Sequence, residues 1–403
     1  MEEPGPVAAF RTLLTPQGQA VLDRVSPYDE ERALGTAETL RAEGFDPALT
    51  SAALTQARLR ARARDRLGPA AEQMFFTAAG LEQATRASVA ARHAERYAGL
   101  APGDDPELLV ADLCCGLGSD LLALARAGPR VLGVERDPLT AALASANVEA
   151  LGLTGRAAVR VGDATEMALD GVGAVFADPA RRDSHGRALA PHRWSPPFSF
   201  VIDVADRVAA TGAKLAPGVP HDVLPAGTEA EWVSDGGDLV ECALWFGPLA
   251  TDVARRATLL PSGATLTGDG SRRAEAGPVG RYLVEPDPAV IRAGLVAELA
   301  DQVDGRLVDP TIAYLSTEHR PRTVLGSAYE VTDVLPFGVK RLRALLRERG
   351  VGRVTVKKRG TAVTPEQLRP ALRLRGDAEA TIVLTRVAGE QSVLIVEPLT
   401  SQW

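Results

Sequence analysis

The stretch LLVADLCCGLGSD, Leu108 to Asp120, ends an apolar run with two adjacent cysteines and two glycines. A short apolar segment that runs into a glycine pair reads as a buried strand turning directly into a helix. Glycine there lets the backbone approach a ligand closely. Three chemistries compete for such a turn. They are a metal or redox site on Cys114 and Cys115, a dinucleotide loop, and another cofactor loop built on Asp112, Gly116 and Gly118. The dinucleotide fingerprint G-x-G-x-x-G needs a third glycine at position 121, which is Leu121. A zinc site needs about four ligands at workable spacing. The histidines, His93, His185, His192, His221 and His319, are scattered, so no metal is expected. Small size beside a glycine loop explains the cysteine pair.

Outward from this loop the chain alternates short apolar runs with helical patterns. GSDLLALARAG reads as a helix, RVLGVER as a strand, and DPLTAALASANVEALG as a helix opened by Asp137 and Pro138. AAVRVGDA and GAVFADPA read as further strands, FSFVIDVADRVA as the start of another element, and GAKLAPGV and EAEWVSDGGDLVECALWFG as late strands. Strand–helix alternation means βαβ units and a largely parallel sheet. In such sheets ligands bind beyond the carboxyl ends of the strands, so the residues after each strand carry the information. Glu135, nineteen residues beyond Gly116, ends the second strand, where an acid can accept from both ribose hydroxyls of a nucleoside. After the third strand, Asp163 can accept from the exocyclic amine of adenine while the Ala164 N–H reaches a ring nitrogen. After the fourth come Asp178 and Pro179, followed by Ala180, Arg181 and Arg182.

The run DLCCGLGSD … GVERD … VGDAT … ADPARR resembles a class I S-adenosylmethionine-dependent methyltransferase, over roughly Val110 to Gly247. The resemblance implies a Rossmann-like α/β core. It implies a methionine-binding loop at Asp112, Cys114, Gly116, Gly118 and Asp120, a ribose contact at Glu135 with Arg136 beside it, an adenine contact at Asp163 and Ala164, and Asp178 beside the transferred methyl. Catalytic roles would fall on Asp178, Pro179 and Arg181. The flanks FFTAAGLEQAT, DPARR and YLVEPDPAVIRAGL look like a bacterial subfamily that joins this core to a C-terminal THUMP-like domain, a type of RNA-binding module. The implied substrate is a structured RNA, tRNA or rRNA. Amine methyltransferases acting on flipped bases use Asn or Asp, then Pro-Pro and an aromatic that stacks on the base. Here Ala180 and Arg181 stand in place of the second proline and the aromatic. Arg181 and Arg182 could instead hold a phosphate.

The chain has 403 residues, too many for one ordinary core. The expected parts are an N-terminal helical region over 1–100, a methyltransferase core over 101–265 and a small α/β THUMP-like module over 280–403. In the first, DPALTSAALTQARLRARARDRLG takes Asp46 as N-cap, Pro47 as first helical residue and Gly68 as the residue beyond the end. Its arginines, Arg58 to Arg66, fall at every second position and so spread around the helix. GLEQATRASVAARHAERYAGL reads as one further helix, closed by APGDDP. The C-terminal part reads helix, strand, helix, strand through VKRLRALLRERG, RVTVKKRG, PEQLRPALRLRG and ATIVLTRV, with SVLIVEP last.

The net charge of −7 by itself argues against nucleic acid. Its distribution argues otherwise. Between Lys340 and Arg375 there are twelve lysines or arginines against two acids, Glu348 and Glu366. One binding face on an otherwise acidic protein is therefore expected. Arg182, Lys340, Arg341, Arg353, Lys357, Lys358 and Arg359 are the expected RNA contacts. No apolar run reaches the roughly 20 residues that span a bilayer, so no membrane partner is expected. The opening MEEPGPVAAFRTLL lacks the basic start and apolar stretch of a secretory signal. Three cysteines do not make a disulfide framework, and a cytoplasmic protein is expected. Cys242 could attack a base as a nucleophile, but its apolar strand context favours a buried small hydrophobe. Trp194, Trp232 and Trp245 are expected in the core. No histidine or lysine stands out as a general base. The alternatives to an RNA methyltransferase are a small-molecule methyltransferase with the C-terminal module as lid or dimer surface, a non-catalytic RNA-binding protein, and a nicotinamide enzyme. Oligomeric state is not legible.

Overall fold

The computed structural model describes residues 5–100, 108–180, 182–183, 186–187 and 191–399. The chain forms two compact units. The first comprises residues 1–228 and 242–251, the second 229–241 and 252–403.

The first unit opens with helices α1 (Gly5–Leu14), α2 (Pro16–Arg24), α3 (Ala33–Ala42) and α4 (Pro47–Leu67). Asp46 caps α4 by accepting from the Leu49 N–H at 2.9 Å, and Gly68 ends it at φ 69°. The arginines of α4 tie down the segment beyond its end. Arg60 donates to the Met74 carbonyl and lies over the Phe75 ring, and Arg66 donates to the Ala84 carbonyl. The helix expected over GLEQATRASVAARHAERYAGL is two helices, α5 (Ala78–Gln83) and α6 (Ala87–Ala98). Ala84 and Arg86 are extended, and that break turns the Thr85 side chain into the interior, where it is 4% exposed. The expected linker APGDDP lies outside the described residues.

The sheet follows as β1 (Leu109–Leu113), α7 (Ser119–Arg126), β2 (Arg130–Glu135), α8 (Pro138–Ala150), β3 (Ala157–Val161) and β4 (Ala174–Ala177). A two-residue pair, β5 (Arg182–Asp183) and β6 (Gly186–Arg187), precedes α9 (Phe198–Arg207) and β7 (Thr211–Leu215). Strands β1, β2, β3, β4 and β7 are parallel, in the order β7-β4-β1-β2-β3. Chain order reverses between β1 and its neighbours β2 and β4, which makes the carboxyl end of β1 the switch point where α/β sheets bind ligands. The two-residue period of a strand sorts side chains onto two faces. Val110, Ala174 and Phe176 join the core with Tyr97 and Leu121, while Ala111, Leu113, Val175 and Ala177 join the one with Val204 and Val208. Asp112 shares the face of Val110.

In the second unit, β8 (Glu229–Asp235) is followed by β9 (Asp238–Trp245), whose residues from Cys242 onward belong to the first unit and pair antiparallel with β7. Strand β10 (Arg255–Leu260) lies between β8 and β11 (Ala264–Gly268). After β12 (Tyr282–Pro286) come α10 (Pro288–Ala293) and α11 (Val296–Val303), divided by Gly294 at φ 79°. The remaining elements are β13 (Arg306–Asp309), β14 (Ile312–Thr317), β15 (Gly326–Pro336), α12 (Val339–Glu348), β16 (Val351–Lys358), α13 (Pro365–Leu372), β17 (Ala378–Val387) and β18 (Glu390–Pro398). They build a seven-stranded sheet of order β13-β14-β12-β15-β18-β17-β16. Leu342 and Leu346 of α12 and Leu368 and Leu372 of α13 pack against Ile382, Leu384, Val393 and Ile395 of that sheet.

Candidate active site

The loop after β1 folds around the end of β2. The N–H groups of Cys114 and Cys115 both donate to the Val134 carbonyl, at 2.9 and 3.1 Å. Cys114 takes φ 66°, Gly116 φ 55° and Gly118 φ 87°, and Gly118 opens α7. Gly133 makes room for this wrap, because a Cβ there would meet Leu121 at 2.6 Å and the Cys115 sulfur at 2.9 Å. A Cβ on Gly116 would meet nothing within 4 Å, so the space over that glycine is open. The Glu135 carboxylate accepts from the Gly116 N–H at 3.1 Å and from the Asp137 N–H at 2.9 Å. The acid of β2 therefore also fixes the shape of the glycine loop.

Asp112 is 1% exposed, and neither of its carboxylate oxygens has a hydrogen-bond partner within the described residues. Burial, with the charges of Asp120 and Asp178 adding to it, pushes its carboxyl well above the usual carboxylate range; Lys214 and, weakly, the Leu121 N–H oppose this. At the end of β3, Asp163 is exposed and accepts from the hydroxyl and N–H of Thr165, which lower its pKa. Ala164 beside it is buried. Arg136 donates to the Ser195 hydroxyl at 3.1 Å. After β4 the Asp178 N–H donates to the Leu113 carbonyl, Pro179 is buried, and Ala180 and Ser195 exchange both backbone hydrogen bonds. Asp112, Cys114, Gly116, Gly118, Glu135, Arg136, Asp163, Ala164, Asp178 and Pro179 thus all sit on or after the carboxyl ends of β1 to β4. Arg181 lies outside the described residues, and Arg182 is described only as backbone of β5.

Asp120 turns away from this cleft. It is 6% exposed, and it accepts from the Thr85 hydroxyl at 2.5 Å and contacts His93 Nδ1 at 2.8 Å. Lys214, on β7, extends this series to Asp178. Its ammonium donates to Thr85 Oγ1 at 2.9 Å and to Asp178 Oδ2 at 2.7 Å. His93, Asp120, Thr85, Lys214 and Asp178 form one hydrogen-bonded chain from the interior to the strand ends. The sequence hid Lys214 inside the strand GAKLAPG, yet one signal was there. Only four of the 45 basic residues are lysines, and the other three lie in the basic segment.

Cys242 is fully buried, and Cys114 and Cys115 have thiols raised by burial first and then by nearby carboxylates. These are poor nucleophiles. Trp194, Trp232 and Trp245 are all buried. Among the described residues no group of His, Cys, Asp and Glu is placed to hold a metal ion, and no helix is long and apolar enough to cross a membrane.

In the second unit the basic residues divide. Lys340, Arg341, Arg347, Lys358, Arg369, Arg373 and Arg375 are exposed. Arg353 is exposed but pairs with Glu379 at 2.6 Å. Lys357 instead donates to Glu285 at 2.6 Å and lies over the Tyr329 ring, while Arg359 donates to the Ala313 carbonyl and lies over Tyr314. Arg343 of α12 donates to the Ala371 carbonyl of α13, so the two helices lie side by side.

Residues 326–398 match the family described as THUMP domain-like, and residues 6–63 match a domain of unknown function (DUF8688). An uncharacterized S-adenosylmethionine-dependent methyltransferase of Mycobacterium tuberculosis is 34% identical over 338 residues, which is 82% of this chain and 90% of that protein. The 23S rRNA (uracil(1939)-C(5))-methyltransferase of Acidithiobacillus ferrooxidans is 43% identical over 61 residues, 15% of this chain and 14% of that enzyme. A methyltransferase crystal structure from Porphyromonas gingivalis superposes with a TM-score of 0.74 at 20% identity, over 93% of this chain and all of that one, and so shares its fold. With the Mycobacterium tuberculosis relative 34% identical along most of its length, the chain belongs to the S-adenosylmethionine-dependent methyltransferases.

Proposed function

We propose that this methyltransferase modifies a structured RNA, a tRNA or an rRNA. The observation that carries the reading is the exposed basic surface of the THUMP-like domain. Lys340, Arg341 and Arg347 of α12 and Arg369 of α13 lie on adjacent helices, with Arg373 and Arg375 just beyond. Phosphate neutralisation by such residues gives most of the affinity for RNA and makes it fall with salt. The similarity to a 23S rRNA methyltransferase supports the same substrate class.

The residues present fit S-adenosylmethionine. The open space over Gly116 can take a ligand against the backbone, and the buried, unpartnered carboxylate of Asp112 lacks the donor that a bound ammonium supplies. Asp112, Gly116 and Gly118 would hold the methionine part, Glu135 the ribose, and Asp163 with Ala164 the adenine. When bound, the cofactor supplies a sulfonium methyl, an electrophile that needs alignment more than activation. Asp178 would accept a hydrogen bond from the acceptor group and so orient it. Ala180 and the residue after it supply no stacking ring, and Arg136 and Ser195, joined by a hydrogen bond beside Asp178, would offer charge and backbone contacts to the acceptor instead.

Transfer of tritiated methyl from S-adenosylmethionine to total tRNA and to ribosomal RNA, at two salt concentrations, tests this. RNA labelling that falls steeply with salt is expected. Cofactor binding without labelling of either RNA points to a small-molecule acceptor or a non-catalytic RNA-binding protein and removes the reading.

A further inference from the structure

Lys214 is a buried cation in a chain that otherwise relies on arginine. Its side chain is 6% exposed on β7, between Ala213 and Leu215, both fully buried. Removing an ammonium from water costs several kcal/mol unless partners compensate it. Its partners include Asp178 at the strand ends and Thr85 at the break between α5 and α6. Thr85 donates its own hydroxyl hydrogen to Asp120, so the hydroxyl accepts from Lys214 and cannot turn away.

Among the described residues, charged and titratable groups facing this pair come from four other elements. Asp112 comes from β1, Asp120 from α7 with His93 of α6 behind it, and Cys114 from the glycine loop. The carboxylates of Asp112 and Asp120 are the same sign as Asp178 and disfavour its ionised form. Lys214 is a cation in direct contact with it, at 2.7 Å, and favours that form. It also fixes the carboxylate against the sheet, leaving Asp178 a quarter exposed at the cleft.

We propose that Lys214 is a positioning residue for methyl transfer, which keeps Asp178 ionised and fixed so that it accepts a hydrogen bond from the acceptor group. This rests on the placement of Asp178 in the proposed active site, and not on the acceptor being RNA.

The four lysines make the test direct, because a protein labelled with 15N-lysine gives four Nζ signals. In Asp178→Asn the Lys214 ammonium loses the carboxylate that accepts from it at 2.7 Å. Its pKa is expected to fall by about one unit or more. An unmoved Lys214 signal overturns the proposal. With total tRNA as acceptor, Lys214→Met is expected to lower kcat about 100-fold. KM for S-adenosylmethionine should stay within about twofold. The acid limb of kcat/KM should move to higher pH, and Lys214→Arg should restore part of the rate. An unmoved acid limb, or an effect confined to KM, overturns the positioning role. If Lys214→Met does not fold, or if wild-type protein labels no RNA, the Asp178→Asn titration still decides the proposal, while missing RNA label alone counts against the substrate reading.

Discussion

His93 Nδ1 lies 2.8 Å from an Asp120 oxygen, with the two side chains 0% and 7% exposed. The His93 ring also rests on Phe176 of β4 at 4.8 Å, so the pair is fixed between α6, α7 and the sheet. Burial alone would raise the Asp120 pKa. The hydrogen bond and charge of His93, the charge of Lys214 and the Thr85 hydroxyl outweigh it and set the group below its ordinary value.

That direction fixes a pH dependence. A carboxylate with a depressed folded pKa contributes stability that is present above its unfolded pKa, about 3.9. The contribution is lost as pH falls through the lower folded value. Asp120→Asn should cost about 3–5 kcal/mol in urea unfolding at pH 7, because it breaks a buried pair. The wild-type and variant stabilities should converge as pH drops below about 4. A loss under about 1 kcal/mol at pH 7 would falsify the stabilising role of the pair.

Asp112 should behave in the opposite way. Its folded pKa is raised, first by burial, so its contribution to stability is present at low pH and lost as pH rises through the folded value. Asp112→Asn removes a buried ionisable group whose charged form burial disfavours and keeps the shape. Stability at pH 7 should be unchanged or higher. Affinity for S-adenosylmethionine should fall about 10- to 100-fold, the worth of a hydrogen bond to a charged group. Calorimetric titration beside thermal unfolding separates the two effects, and a variant that binds normally removes Asp112 from the cofactor site.

These two aspartates show where sequence reading stops. Asp112, Glu135, Asp163 and Asp178 are legible because each follows an apolar run, and the position after a strand is defined along the chain. Asp46, Pro47 and Gly68 are legible for the same reason, since caps act on their own helix. Proximity along the chain assigns Asp120 to the cofactor loop, but the first turn of α7 points it at Thr85 and His93, 35 and 27 residues upstream. Lys214 meets Thr85 across 129 residues. No local pattern encodes such a meeting. The break at Thr85 escapes because Ala-Thr-Arg has no glycine or proline to mark it.

Glu135 carries two loads, so its variants should separate them. Its carboxylate holds the Gly116 and Asp137 N–H groups, and it is also the proposed ribose contact. Glu135→Gln keeps an acceptor of the same size and should weaken S-adenosylmethionine binding by about tenfold. Glu135→Ala also frees the loop and should weaken it by about 100-fold. Amide hydrogen exchange at Gly116 should accelerate in the alanine variant alone. Equal exchange in both variants would show that the carboxylate does not shape the loop.

Lys357 and Lys358 are neighbours with different work to do. Lys358 is exposed, whereas Lys357 donates to Glu285, a residue 72 positions away that also borders a cavity of about 640 Å³ with Asp287, Arg359 and Ser234. The sequence makes both lysines RNA contacts alike, and the structure separates them. Lys357→Ala leaves Glu285 short of its closest cation and should lower stability by about 1 kcal/mol, a value discounted for partial exposure. Lys358→Ala with Arg341→Ala should leave unfolding unchanged. The double variant should reduce the slope of log affinity for tRNA against log salt by about 0.7–0.9 for each phosphate no longer neutralised. Thermal unfolding and filter binding across a salt series measure both quantities. A slope unaltered by the exposed pair, together with a slope altered by Lys357→Ala alone, would move the RNA surface from the helices to the cavity around Glu285.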